Sequence, residues 1–165
     1  MATYTVSRKL PGMGFSVSDD TGTQVYAAKH HAGFKEERWD LTDLQGQPVA
    51  TLTLQRIHAH PTYVVTLAGQ QPITVTRDSA YAQTWSLDGS SGSLRLVGDT
   101  GAYDWRIVDS AGTSCATGQR KAISEHQRYS VSVEGDPALA LCVAVAIASE
   151  RMHGRESVFG ALGQF

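Results

Sequence analysis

Two histidines separated by a single residue, His58 and His60, are spaced so that they could bind one metal ion. Alternate side chains of an extended strand share a face, so both imidazoles would point the same way and could hold a transition metal. A complete site also needs a third ligand and a supporting shell, and no spacing selects one from His30, His31 or the acids. Surface histidines beside a turn-forming Pro61 are ordinary, so we expect neither a bound metal nor a cofactor.

Three aspartates, Asp19, Asp43 and Asp109, have the residue type for general acid–base catalysis, but their local pattern favours another role. Each begins an Asp-x-x-Gly unit between apolar strand residues. Aspartate at the first turn position accepts hydrogen bonds from the loop backbone, and glycine three residues later supplies a positive φ angle. The pattern therefore predicts three similar hairpins, each with a type I turn and a bulge, and no catalytic carboxylates.

The nucleophile and nucleotide motifs of common enzyme families are missing from the sequence. It contains no Gly-x-Ser-x-Gly elbow, no Walker loop and no Cys-x-x-Cys pair. Of the two cysteines, Cys115 and Cys142, the second lies in a strongly apolar segment, where burial raises the pKa of a thiol. We therefore expect Cys142 to be a reduced core thiol, and we expect the protein not to be an enzyme.

Basic residues fall into small groups at three places in the chain, and an anionic lipid headgroup is the ligand that they would suit. The candidates for such contacts are Arg8, Lys9, Lys29, Arg120 and Lys121. Each basic contact near an anionic surface contributes about 1 kcal/mol, so three or more must come together for useful affinity. Scattered, solvated charge on a nearly neutral protein is the simpler explanation, and the sequence alone leaves both open.

The segment at residues 154–165 differs in pattern from the chain before it. Its apolar side chains recur at roughly helical spacing, and Phe159, Leu162 and Phe165 are the candidates for a docking surface. Gly160 and Gly163 each weaken a helix by about 1 kcal/mol relative to alanine. We expect this segment to be either a flexible terminus or a tail that docks on a partner, a second subunit or a membrane.

Composition and charge restrict the class of protein. The chain has 165 residues, of which 41% are hydrophobic and 18% charged, with a formal net charge of −2. These values are typical of one soluble globular domain. A dedicated nucleic-acid binder is usually strongly basic, so no nucleic-acid partner is expected. The N-terminus lacks the long apolar stretch of a secretory signal, which favours a cytoplasmic location.

β-strands must position most of these candidate residues. Alternating apolar and polar residues, enriched in β-branched types, predict about twelve strands between residues 3 and 134. Turn signals follow one another about every ten residues, which is typical of a sandwich or a barrel. The sequence therefore predicts a mainly β protein.

One apolar segment, residues 137–148, carries the only strong helix signal. Asp136 can cap the N-terminus, Pro137 suits the first helical position and Gly154 is a suitable stop, so we predict a helix from about residue 137 to residue 152. A helix that is apolar on every side is buried on every side. It is also too short to cross a bilayer, which requires about 20 residues. A closed antiparallel barrel of about twelve strands around this helix satisfies both conditions.

The final strand and helix resemble a known protein superfamily. The run at residues 127–147 resembles the end of the LURP-one-related, Tubby C-terminal-like and phospholipid scramblase superfamily. The segments at 15–29, 39–54 and 103–120, with their Asp-x-x-Gly hairpins, resemble upstream parts of the same fold. The resemblance covers nearly the whole chain and implies a twelve-stranded barrel around a central C-terminal helix. We therefore expect one such domain at residues 1–153, followed by the tail at 154–165.

The resemblance also implies association with membranes or phosphoinositides, to which members of the superfamily are mostly linked. Two departures limit what carries over: the chain has no Asp-x-[Asp/Asn]-x-[Asp/Asn]-Gly calcium loop, and no lysine or arginine can be matched to the phosphoinositide ligands of Tubby-type domains. We predict a non-enzymatic cytoplasmic binding or scaffolding domain that associates peripherally with anionic lipid or with a protein partner. The alternatives are a scramblase-like phospholipid-handling protein and, third, an enzyme with a site built from loops at one barrel end.

Overall fold

Twelve β-strands and one α-helix form the described part of the chain. The computed structural model describes residues 1–9, 14–33, 36–55, 62–78, 84–89, 92–100, 103–120 and 128–162, with residue 92 and residues 151–162 described as backbone alone. In chain order, the elements are β1 (Ala2–Arg8), β2 (Phe15–Ser18), β3 (Gln24–His31), β4 (Glu36–Asp43), β5 (Pro48–Gln55), β6 (Thr62–Leu67), β7 (Ile73–Arg77), β8 (Trp85–Gly89), β9 (Gly92–Asp99), β10 (Asp104–Val108), β11 (Ser114–Arg120), β12 (Arg128–Val133) and α1 (Ala138–Leu162).

The strands form one closed antiparallel barrel in which each strand pairs with its neighbours in the sequence. The first and last strands close it, because β1 pairs with β12, with Ala2 opposite Val133 and Ser7 opposite Arg128. Along β12, buried positions alternate with more exposed ones, as expected for a wall with one face toward the core. The predicted closed barrel of twelve strands with one C-terminal helix is therefore confirmed.

Three hairpins have the turn that the Asp-x-x-Gly units predict. In each one, the Oδ1 atom of Asp19, Asp43 or Asp109 accepts hydrogen bonds from the backbone N–H groups two and four residues later, at 2.9–3.1 Å. The glycines that follow have positive φ angles of 85°, 78° and 83°, and each strand pair shifts its register beside the turn. These aspartates therefore shape the turns.

The helix α1 begins as predicted but ends later than predicted. The Oδ1 atom of Asp136 accepts a hydrogen bond from the N–H of Ala138 at 3.0 Å, which confirms the predicted cap. The helix backbone then continues to Leu162, so the prediction that it ends near Met152, at Gly154, is wrong. A glycine within a helix costs only about 1 kcal/mol relative to alanine, so neighbouring residues can carry the helix across it.

The buried part of α1 fills the barrel, and every residue from 140 to 149 is buried. The helix passes closest to β12 and β1 on one side of the barrel and to β5 and β6 on the opposite side. Large side chains of other strands, including Trp85 and Trp105, complete the core. Tyr103, which has a positive φ of 54°, donates a hydrogen bond from its hydroxyl to the carbonyl oxygen of Ala144 at 3.2 Å. This contact joins the barrel wall directly to the helix backbone.

The direction of α1 distinguishes the two ends of the barrel. We call the end beside Asp136 the entry end and the end beside Glu150 the exit end. At the exit end, the hydroxyl of Tyr63 donates a hydrogen bond to Oε1 of Glu150 at 2.6 Å. The three Asp-x-x-Gly hairpins all lie at the entry end. Within the described part of the chain, no helix combines the length and apolar character needed to cross a membrane.

Candidate functional site

Four basic residues lie together at the exit end of the barrel. Arg8 ends β1, Lys9 follows it, Arg120 ends β11 and Arg128 begins β12. The three strands are adjacent in the wall, in the order β11, β12, β1. Because neighbouring strands are only about 4.8 Å apart, the long side chains of these residues share one edge of the barrel. We call these four residues the basic rim.

The strand register determines how closely the rim residues approach one another. Arg128 lies directly opposite Ser7, which precedes Arg8 in β1. Arg120 lies opposite Tyr129, which follows Arg128 in β12. Arg128 is therefore offset by one residue from the position opposite Arg8, and Arg120 is offset by one residue from the position opposite Arg128. Because successive side chains alternate between the two faces of the wall, Arg8 and Arg120 lie on the inward face at the mouth of the barrel, whereas Arg128 lies on the outer face. The basic rim therefore presents charge on both sides of one barrel edge.

The charges of the basic rim are available to a ligand. Lys9, Arg120 and Arg128 are exposed, and Arg8 is partly buried. Within the described ranges, none of the four forms an ion pair with an acidic side chain. On the neighbouring strand β10, the exposed Asp104 lies opposite Gln119, beside Arg120. The positive potential that attracts phosphate and carboxylate groups is therefore strongest at Arg8, Lys9 and Arg128.

A shallow trough on the outer wall of the barrel adjoins the basic rim. It crosses β12, β1 and β2, has a volume of about 550 Å³, and has Arg128 in its lining. Most of its remaining lining carries hydroxyl groups, from Thr3, Thr5, Ser7, Ser16, Ser18 and Ser130, and its far end carries the carboxylates of Asp19 and Asp20. Hydroxyls both donate and accept hydrogen bonds, so the part of the trough beside Arg128, away from these two acids, suits a ligand with phosphate and hydroxyl groups.

The entry end has the opposite charge. Its turns and the strand ends beside them carry seven carboxylates, those of Asp19, Asp20, Asp43, Asp88, Asp109, Glu134 and Asp136. The described turns at this end contain no lysine and no arginine. The exit end carries acids as well, among them Glu36, Asp99 and Asp104, so its positive charge is concentrated at the basic rim on β11, β12 and β1.

The surroundings of Asp19 favour its ionised form. The hydroxyl of Thr21 donates a hydrogen bond to Oδ1 of Asp19 at 2.6 Å, and the backbone N–H groups of Thr21 and Thr23 donate to the same oxygen. These bonds, above all the one from the hydroxyl, hold the pKa of Asp19 below its usual value. The entry end therefore keeps this negative charge at neutral pH.

The structure brings together three of the predicted lipid contacts, Arg8, Lys9 and Arg120. Lys29 lies apart from them on β3, two strands from β1 and directly opposite Asp40. Lys121 lies outside the described residues.

Arg128 is the rim residue that sequence reasoning missed. Its proximity to Arg8 depends on the pairing of β1 with β12, which joins two segments that are far apart in the chain. The only signal that could have found it is the closed-barrel topology itself. A closed barrel makes the first and last strands neighbours, and so places the start of β12 beside the end of β1.

The histidines of β3 pair with acids of β4 rather than with each other. His30 stacks on Trp39 with ring centroids 4.9 Å apart, and its Nε2 atom lies 3.6 Å from Oε2 of Glu37. His31 Nε2 lies 3.0 Å from Oδ2 of Asp40. Among the described residues, no group of three or more histidines, cysteines and acids is placed to hold a metal ion.

The other candidate residues fall beyond the described side chains. His58, His60 and Phe165 lie outside the described residues. Phe159 and Leu162 belong to the last part of α1, which is described as backbone alone. A docking role for these three apolar residues therefore stays a prediction.

Comparison with known proteins identifies a matching protein family and a solved structure with a similar fold. A family model described as LURP-one-related matches residues 2–150. A solved structure of a protein from Arabidopsis thaliana is similar, with a TM-score of 0.61 and 16% sequence identity, over 92% of this chain and 91% of the plant protein. At that identity, the likeness concerns the fold alone. The comparison with curated proteins gave no match.

Proposed function

Because this chain belongs to the LURP-one-related family, we propose that it is a non-enzymatic binding domain that attaches peripherally to anionic lipid surfaces. In this proposal the contact surface is the exit end of the barrel, with the basic rim of Arg8, Lys9, Arg120 and Arg128. The observation that carries the proposal is the position of these four residues on three adjacent strands, with no ion pair to a described acid.

The number of rim residues is sufficient for a measurable affinity. Each basic side chain near an anionic membrane contributes about 1 kcal/mol. Four such contributions strengthen binding by roughly three orders of magnitude, since about 1.4 kcal/mol corresponds to a factor of ten. The hydroxyl trough beside Arg128 would add hydrogen bonds to a headgroup phosphate.

The carboxylates of the entry end and the basic rim at the exit end support one orientation on the membrane. Seven carboxylates at the entry end are repelled by an anionic surface, whereas the basic rim at the opposite end is attracted to it. The protein would therefore approach with the exit end, and with the C-terminal part of α1, toward the lipid. The cytoplasm is the compartment that we propose, because its membrane leaflets are anionic and both described cysteines are free.

Co-sedimentation with vesicles tests this proposal. The protein is mixed with vesicles of phosphatidylcholine alone or of phosphatidylcholine with phosphatidylserine. We expect it to sediment only with the anionic vesicles and to be released as NaCl rises from about 0.05 M to about 0.5 M, because salt screens surface charge. The Arg120→Glu/Arg128→Glu double variant is expected to lose binding.

A matched pair of single variants distinguishes the effect of the basic rim on binding from the effect of the protein's net charge. Arg128→Glu replaces a positive charge by a negative one, a change of two charge units that each contribute about 1 kcal/mol to membrane binding. The variant should therefore bind anionic vesicles roughly thirtyfold more weakly. Arg106→Glu makes the same change at an exposed position within β10 and should have a much smaller effect. Equal losses in both variants would contradict a specific rim.

Two further outcomes would replace the proposal. Salt-resistant binding to neutral vesicles would indicate insertion, for which Phe159, Leu162 and Phe165 are the candidate residues. Failure to bind either kind of vesicle would rule out lipid and leave a protein partner as the ligand of the basic rim.

A further inference from the structure

A second cavity lies at the entry end of the barrel, between the first turn of α1 and the wall formed by β6 to β9. It is a cleft with a volume of about 240 Å³, open to solvent on one side. Five aliphatic side chains form most of its lining, those of Leu67, Ile73, Leu87, Leu94 and Leu139. Gln70 and Asp136 are the polar residues that line it.

The position of α1 between β12 and β1 on one side and β5 and β6 on the other explains why this space exists. The helix lies closest to β1, β5, β6 and β12, so the distance to β8 and β9 must be filled by side chains. In β8, the inward positions nearer the exit end carry Trp85 and Leu87, which are both buried. The next inward position is Gly89, which has no side chain to extend toward the helix. The side chain of Ile73, whose Cγ1 atom lies 2.9 Å from the position that a Cβ of Gly89 would take, forms this part of the wall of the entry cleft.

The charge around the cleft is negative. The Oδ1 atom of Asp136 accepts a hydrogen bond from the N–H of Ala138. No donor among the described residues forms a hydrogen bond with its Oδ2 atom. It is one of the seven carboxylates at the entry end, where the described turns contain no lysine or arginine. A positively charged headgroup at the mouth of the cleft would therefore be favoured over a negatively charged one.

We propose that the entry cleft binds a small primary aliphatic amine, with its alkyl chain among the five aliphatic side chains and its ammonium group beside Asp136. A volume of about 240 Å³ has room for a ligand of about eight or nine non-hydrogen atoms, since one water-sized group occupies about 30 Å³ of a liquid. The combination of an apolar lining with few polar groups is typical of small-molecule sites. This site lies at the opposite end from the basic rim, so it does not depend on the lipid proposal.

Titration with alkylamines tests the inference on the full-length protein. Hexylamine, octylamine and decylamine are added to methyl-labelled protein and followed by NMR, with octanoate as the anionic counterpart of octylamine. We expect shifts confined to the methyl groups of the five lining residues, Leu67, Ile73, Leu87, Leu94 and Leu139, and an affinity that is highest for octylamine. Affinity that rises steadily with chain length, or shifts spread over the whole barrel, would overturn the proposal.

Two leucine variants test the position of the alkyl chain. Leu139→Trp places a larger side chain in the cleft and should weaken octylamine binding by about tenfold or more, because the ligand loses its buried surface. Leu44→Trp is the matched control, since Leu44 is 61% exposed on the hairpin between β4 and β5. Unchanged binding in a folded Leu139→Trp variant would overturn the site.

Asp136→Asn tests the charge without removing the helix cap, because asparagine caps a helix about as well as aspartate. The wild-type protein should prefer octylamine to octanoate by roughly thirtyfold, because one unit charge at about 4 Å in water attracts the ammonium by about 1 kcal/mol and repels the carboxylate by about the same amount. The variant should lose most of this preference while keeping its melting temperature. A preference for octanoate, or one that is unchanged in Asp136→Asn, would contradict the role of Asp136. This second variant keeps the test decisive if Leu139→Trp fails to fold.

Discussion

Cys142 is a residue whose chemistry is controlled by the barrel around it. It is 3% exposed, and burial raises the pKa of its thiol to about 12, because an apolar interior solvates a thiolate poorly. Cys115 is only partly buried in β11. Since the thiolate is the reactive form of cysteine, the two thiols should differ widely in reactivity.

We predict that iodoacetamide modifies Cys115 and not Cys142 in the native protein. At every pH between about 8 and about 10, Cys142 should stay almost entirely protonated and unmodified, because its pKa is about 12. Mass spectrometry of peptides from native and urea-unfolded protein measures both sites. Equal modification of both cysteines under native conditions would contradict a buried, protonated Cys142.

Some residues of this protein can be understood from local sequence and others cannot. The burial of Cys142 and the turn-forming role of Asp43 follow from the residues next to them, and both predictions hold. The basic rim is different, because Arg8 and Arg128 meet only when β1 pairs with β12. No local sequence pattern predicts that pairing. Sequence analysis could therefore identify some of the basic residues, but not that they lie together in one site.

At the scale of elements, α1 is the part of the structure on which the core depends most. Its residues from 140 to 149 are all buried. Each large aliphatic side chain among them stabilises the fold by about 1.5–3 kcal/mol on burial. Together they contribute an amount comparable to the net stability of a domain, which is about 5–15 kcal/mol.

Ala144→Asp is therefore expected to prevent folding. Ala144 is fully buried, and an isolated charge at such a position costs several kcal/mol. The control is Ala111→Asp, which makes the same substitution in an exposed turn and should change stability by less than about 0.5 kcal/mol. The soluble fraction after expression and thermal melting measure the effect. A soluble Ala144→Asp protein with an unchanged melting temperature would disprove the central role of the helix.

The boundaries of elements show where sequence patterns stop being informative. Alternation of apolar residues locates the middle of each strand because one face of the wall must be buried. The start of α1 was predicted because a cap is a local interaction between Asp136 and the first turn. The end of α1 was not predicted correctly, because one glycine disfavours a helix only weakly and does not determine where the helix ends.

At the scale of the whole molecule, the twelve strands and the buried part of α1 all lie before residue 150. The buried hydrophobic residues that the structure describes all lie at or before Ala148. We therefore propose that residues 1–153 form the folding unit, and that 154–165 can be removed without loss of the core.

A variant that lacks residues 154–165 is expected to fold with a melting temperature within a few degrees of the full chain, since removal of residues outside the core changes stability little. Circular dichroism during heating, with urea unfolding as a second measure, gives the comparison. Aggregation of the shortened protein, or a large fall in its melting temperature, would show that the last residues stabilise the barrel.

The pairing of β1 with β12 also determines how this protein can form during synthesis. Each new strand can pair with the one before it as it leaves the ribosome, but one edge of β1 stays open until Arg128–Val133 has been made. The interior also lacks its helix until then, because α1 follows β12 in the chain. The growing chain is therefore an open sheet with an apolar inner face and two free edges, a form that favours aggregation. Most of the fold must therefore be completed late in translation or after it. Chaperones that hold unfolded chains would protect the protein during the stage when only its first eleven strands have been made.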